Sequence, residues 1–131
     1  MFRTFKNFEG ENIAASVFGR ASDPLVVFLH GGGQTRFAWD RAAEKVSQKG
    51  FFVITYDLRG HGDSFWSKEG NYRIHDHKED LISIIKNFDK PANLVGASLY
   101  FCRVSSLTPS IFSLAKSTKI DDSFSSPFPV T

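Results

Sequence analysis

A single cysteine, Cys102, leaves this sequence without an internal disulfide and fits a reducing compartment. Blocks of like charge are missing too. Lys and Arg are scattered among Asp and Glu, no run of about five or six of one sign occurs, and the formal net charge is only +2. Neither nucleic acid nor a membrane is therefore an expected partner. No apolar run approaches the roughly 18 residues of a membrane span. The opening "MFRTFKNFEGEN" lacks the apolar core of a secretory signal. Internal repeats and an interdomain linker are absent as well. These absences together make a cytoplasmic protein the expectation.

What is present is ordinary. The chain has 131 residues, of which 41% are apolar and 23% charged, the composition of a globular protein of one domain. A chain of that size can bury roughly two-thirds of the surface its unfolded form exposes. "MFRTFKNF" and "NIAASVFG", separated by "EGE", read as an antiparallel strand pair. "DPLVVFLH" follows, with a continuous apolar run from Leu25 to Leu29 that marks a strand buried on both faces. Phe37, Ala38, Ala42 and Val46 recur at helical spacing, and Gly50 just beyond Lys49 is a stop signal. "FFVITYDL" is a second buried strand and "RGHGDS" a turn. "HDHKEDLISIIKNF" puts Leu81, Ile84, Ile85 and Phe88 on one helix face, and "ANLVGAS" is a third, shorter buried strand. Strand, helix, strand, helix, strand in that order predicts right-handed crossovers and a mostly parallel α/β sheet with the hairpin at its edge.

Ligands of such sheets gather at the carboxyl ends of the strands, and three loops leave those ends here: "HGGGQT", "RGHGDS" and the turn carrying Ser98. A dinucleotide loop is one reading of the glycines. The G-x-G-x-x-G spacing would need glycines at 31, 33 and 36, but position 36 is Arg36, and no Gly-Lys-Ser/Thr follows. A strained strand-to-helix turn accounts for more. It would expose the Ser98 hydroxyl above the sheet, with the N–H of the next residue and one from the first glycine loop able to hold a developing oxyanion.

The stretches "FLHGGGQTRFAW", "VITYDLRGHGDS" and "NLVGAS", taken in order and at their spacing, resemble the opening motifs of the α/β-hydrolase superfamily. They are most similar to its esterase, haloperoxidase and epoxide-hydrolase-like branch, and the resemblance runs from about residue 10 to residue 99. It implies Ser98 as nucleophile, the backbone N–H groups of Gly32 and Leu99 as the oxyanion hole, and His30 with Gly31 as shaping the oxyanion loop. A serine there implies a small-molecule ester or related acyl substrate. The epoxide hydrolases and dehalogenases of the same branch use an aspartate. No cofactor and no metal are implied.

Two features depart from the family pattern. Tyr100 and Phe101 stand where small residues are wanted after Ser98. All four histidines, His30, His61, His75 and His77, precede Ser98, whereas the family supplies acid and histidine after its serine. Asp121 and Asp122 do follow it, but in "SSLTPSIFSLAKSTKIDDSFSSPFPVT", a stretch rich in Ser and Pro with no sustained period. A serine without a base is a weak nucleophile. Losing the histidine of such a triad costs on the order of 10⁶ in kcat and leaves roughly 10³ to 10⁴ over water.

The expectation is thus a partial α/β-hydrolase fold. Residues 1–100 would form the N-terminal half of the domain and 101–131 a divergent, poorly ordered tail, with the C-terminal strands and the cap missing. Such a chain would be inactive alone. Its last strand would present an open sheet edge, through which self-association is open to it. The expected history is an interruption near Leu99 by a frameshift, a retained intron or a wrong gene model; a real short protein completing its sheet with a partner is the alternative. A non-catalytic interaction module or subunit fragment is the competing function class.

Other side chains have plainer readings. His30 is expected to pack and hydrogen-bond within its loop. His61 is read as structural, with Asp63 and Ser64 satisfying turn backbone. His75 and His77 are read as a solvated helix start rather than a metal site, since their spacing matches no standard zinc pattern. Trp39 and Phe37 fit core packing or an acyl pocket. Cys102 is a bystander.

Overall fold

A computed structural model describes residues 1–97 of the chain. The expectations placed on Ser98, Leu99, Tyr100, Phe101, Cys102, Asp121, Asp122 and the tail at 101–131 lie outside the described residues. Five strands run in the order β1 (Phe2–Lys6), β2 (Asn12–Phe18), β3 (Leu25–Leu29), β4 (Phe52–Tyr56) and β5 (Ala92–Gly96). Helix α1 (Asp40–Ser47), entered through a single 3₁₀ turn at Arg36–Trp39, links β3 to β4, and α2 (Ile74–Ile85) links β4 to β5.

They form one sheet in the spatial order β1-β2-β4-β3-β5. β1 and β2 pair antiparallel, as do β2 and β4, while β3 pairs parallel with both β4 and β5. The partial α/β-hydrolase fold with an N-terminal hairpin at its edge is thus observed, in a sheet mixed evenly between the two kinds of pairing. Among the described residues β5 pairs on one side only.

Alternation along the strands explains why β3 and β4 read as unbroken apolar runs. Leu25, Val27 and Leu29, with Phe52, Ile54 and Tyr56, face one core shared with Leu81, Ile84 and Ile85 of α2. Val26, Phe28 and Val53 face the other, shared with Trp39 and with Ala43 of α1. A strand covered on both faces has no solvated side to carry polar residues. Trp39 is core, its ring 4.9 Å from that of Phe28, and Phe37 is exposed. This settles the packing reading for Trp39 and removes Phe37 from the core. The 3₁₀ turn delays α1 relative to the expected start at Phe37. Phe88 lies just past α2, packed edge-on against Phe5 and Phe52.

Candidate active site

The parallel ladders set the ends of β3, β4 and β5 level: Leu29 is in register with both Tyr56 and Gly96. His30, Asp57 and Ala97 are consequently the first residues past the same rung. The Ala97 N–H donates to the Leu29 carbonyl at 3.2 Å, which carries the pairing one step beyond β5.

The glycine loop after β3 lies against this step. A Cβ added to Gly31 would stand 3.1 Å from the Ala97 carbonyl oxygen and 3.2 Å from Gln34 Oε1, tighter than an ordinary contact, so this close approach is where glycine is needed. The Gly31 N–H is taken by Gln34 Oε1 at 3.0 Å and the Gly33 N–H by His61 Nε2 at 3.2 Å. The Gly32 N–H makes no hydrogen bond among the described residues, and Gly32 is exposed with open space around its Cα.

His30 is buried beneath this loop. Its Nε2 accepts the Leu58 N–H at 3.0 Å, so the ring proton sits on Nδ1, which donates to the Gly31 carbonyl at 2.8 Å. Burial holds this imidazole below its ordinary pKa, and the neighbouring His61 ring, 5.0 Å away, adds to the effect against the opposing pull of the Gly31 hydrogen bond. His30 therefore packs and hydrogen-bonds inside the loop, as its plain reading held. His61 makes the same kind of pair, Nε2 accepting from Gly33 and Nδ1 facing the Arg59 carbonyl at 3.1 Å.

Two buried ion pairs fix the loop after β4. The Asp57 carboxylate, fully buried, accepts the Arg36 N–H at 2.6 Å, the Arg36 guanidinium and the Asp63 N–H at 3.0 Å. Arg36 also donates to Ser16 Oγ at 3.1 Å and pairs with Asp63 at 3.0 Å. Asp63 thus serves an arginine with its side chain, where turn backbone was expected to claim it. Ser64 does satisfy backbone: its hydroxyl accepts from the Ala14 N–H and donates to the Asp57 carbonyl. Gly62 has φ +48°, and a Cβ there would overlap the Asp57 carboxylate. That position admits no side chain without movement.

Arg59 forms the second pair. Its guanidinium grips Asp80 of α2 through two hydrogen bonds of 2.7 Å and donates to the Asn71 carbonyl, also at 2.7 Å. Burial by itself would lower its pKa, but the hydrogen bond and charge of Asp80 outweigh that and hold it above the ordinary arginine value. Asn7 Nδ2 donates to the same Asp80 carboxylate at 2.9 Å, while Asn7 Oδ1 accepts from the Glu9 and Glu11 N–H groups in the hairpin turn.

At the start of α2 the solvated reading holds for His75, which is exposed. It fails for His77. That ring lies on the helix face occupied by Asp80, Leu81 and Ile84 and is buried. Burial pushes its pKa down to about 4. Asp76 is shifted too: burial would raise it, but hydrogen bonds from the Arg73 backbone and side chain hold it below the carboxylate range. No cluster of His, Cys, Asp or Glu fit to hold a metal occurs among the described residues, nor does any helix long and apolar enough to cross a membrane.

Of the residues expected in the site, then, His30, Gly31 and Gly32 are brought together with Ala97, and Ser98 and Leu99 lie outside the described residues. Sequence reasoning missed the ion pairs of Arg36 with Asp57 and of Arg59 with Asp80. The available signal was charge continuing directly from a buried strand, in "VITYDLR".

The sequence profile described as "alpha/beta hydrolase fold" matches residues 24–99. This chain belongs to that family. Among curated α/β-hydrolase relatives, Esterase Rv0045c of Mycobacterium tuberculosis is 38% identical over 79 residues, which are 60% of this chain and 26% of that protein. The AB hydrolase superfamily protein YfhM of Bacillus subtilis is 33% identical over 95 residues, 70% of this chain and 33% of its own. The α/β-hydrolase chain thus spans about a quarter to a third of the length of these relatives. Among solved structures, the epoxide hydrolase VrEH1 of Vigna radiata superposes with a TM-score of 0.78 at 22% identity, over 86% of this chain and 37% of that one, a likeness of fold.

Proposed function

We propose that this chain carries the nucleophile-bearing half of a serine hydrolase acting on small-molecule esters or related acyl compounds. Ser98 is the nucleophile, and the N–H groups of Gly32 and Leu99 receive the oxyanion. The observation that carries the reading is the contact of Gly31 with the Ala97 carbonyl. The loop that makes this approach to the residue before Ser98 continues into Gly32, which is exposed and whose N–H has no partner among the described residues. Relatives named as esterases and hydrolases support the acyl chemistry.

No histidine follows Ser98 in these 131 residues, and His30 and His61 spend both ring nitrogens on backbone groups. Among the described residues neither of these rings is placed to take the Ser98 proton, so we read the chain alone as inert, with histidine and acid supplied from outside these residues. The same observation favours the second reading, a non-catalytic interaction module or subunit fragment.

Two measurements separate the readings. The purified chain should neither turn over a simple aryl ester nor take up a fluorophosphonate; turnover abolished by Ser98→Ala would refute inertness. Residues 1–99 grafted in place of the matching segment of the mycobacterial esterase should restore labelling at Ser98. A folded chimera that stays unlabelled would leave the interaction module standing.

A further inference from the structure

Three consecutive glycines carry no Cβ to bias the direction of their peptide groups, so Gly31–Gly33 adopts one conformation only if hydrogen bonds select it. A planar trans peptide points its C=O and N–H in opposite directions, so fixing one fixes the other. The Gly31 carbonyl belongs to the same peptide group as the Gly32 N–H. It is held by His30 Nδ1 at 2.8 Å and by the Gln34 N–H at 3.1 Å. The next peptide group, Gly32–Gly33, is held through its N–H by His61 Nε2 at 3.2 Å. Gly32 thus sits between two pinned planes, the first anchored from its own strand and the second from the loop after β4.

We infer that His61 is a positioning residue for the oxyanion loop, acting through the Gly33 N–H to stop the Gly32–Gly33 peptide from turning over. The inference rests on the reading of Gly32 as an oxyanion donor, and it assigns the loop after β4 a part in that donor's orientation. The device requires one ring form. Nε2 must be bare to accept from Gly33, and the proton must sit on Nδ1, where the Arg59 carbonyl at 3.1 Å receives it. Arg59 is itself clamped by Asp80. The ring is therefore oriented by a residue whose own side chain is fixed by Asp80 and the Asn71 carbonyl, and it passes that order to a loop with little of its own.

The test uses the full 131-residue chain labelled with ¹⁵N. Long-range ¹H–¹⁵N spectra of the folded chain should show His61 as the Nδ1–H tautomer; an Nε2–H form would overturn the inference outright. His61→Phe should speed hydrogen exchange of the Gly33 amide at least tenfold while the melting temperature holds. His61→Gln, whose amide oxygen takes the place of Nε2, should bring exchange back to within about threefold of the parent chain. A folded H61F chain with unchanged Gly33 exchange, or a folded H61Q chain that behaves like H61F, would also overturn it. Should H61F not fold, the tautomer and the glutamine variant still decide. None of these readouts involves chemistry at Ser98. An unlabelled chimera would defeat the nucleophile reading and leave these results intact, and the wrong tautomer would do the reverse.

Discussion

The loops after β3 and β4 start one residue past the same rung of the ladder, and they are held by opposite means. The loop after β4 is anchored by charge: Asp57 and Arg59 are buried, each meeting a partner of opposite sign from another element. The loop after β3 offers three glycines, no charge and an exposed backbone. Its order is borrowed from His30, His61 and Gln34. The charged loop has spent its polar groups on the fold, while the glycine loop keeps one donor without a partner among the described residues. Division of labour of this kind, with a stiff neighbour supporting a permissive backbone, is how a binding loop stays both ordered and unsatisfied.

Breaking the stiff side should cost most. Arg59→Ala strands the buried Asp80 carboxylate and is expected to remove about 3–5 kcal/mol, a large part of the roughly 5–15 kcal/mol that stabilises a domain. Urea denaturation measures it, and a loss below about 1 kcal/mol would show that the clamp is ornamental.

Acid probes the same region more gently. The folded pKa of His77 lies at about 4 and that of His30 is also lowered, so the unfolded chain binds protons first as pH falls below about 6.5. Stability is full above that value and drops as pH descends toward the folded pKa, by roughly 2 kcal/mol for His77 at pH 5. Asp76, whose pKa is lowered, loses its contribution only beneath the ordinary carboxylate range and leaves this window untouched. Denaturation curves at pH 7, 6 and 5 should show the decline, and His77→Leu should flatten most of it.

The smallest effect belongs to the glycine loop. Gly32→Ala meets nothing within 4 Å and keeps the N–H, so stability should stay within about 0.5 kcal/mol of the parent chain. A larger loss by the same urea titration would mean that the loop contributes to the fold after all.

Elements with a period or an unbroken apolar run were legible in the sequence. Leu25–Leu29 and Phe52–Tyr56 announced themselves as doubly covered strands, and Leu81, Ile84 and Ile85 marked the buried face of α2. His77 could have been placed by the same argument, since it stands four residues before Leu81 on that stripe, but the acids around it suggested solvent. The ion pairs were not legible for a different reason. Arg36–Asp57 and Arg59–Asp80 each join residues 21 apart, and no local pattern says which charge another element will bury. In the candidate site, the glycines and His30 were readable as a loop; that two histidines hold it from below follows only from where β4 delivers His61.

The Asn7–Asp80 hydrogen bond spans 73 positions. On a ribosome adding roughly 5–20 residues per second, the first hairpin must wait some seconds before its anchor is even synthesised, and longer before α2 clears the exit tunnel. Until β4 is available to pair with β2, the hairpin is a two-stranded ribbon, a form that is marginal in water by itself, and until Asp80 follows it lacks its tie to α2. The amino-terminal ribbon should therefore be the portion most exposed to chaperones and proteases in the nascent polypeptide, becoming secure only when Asp80 arrives.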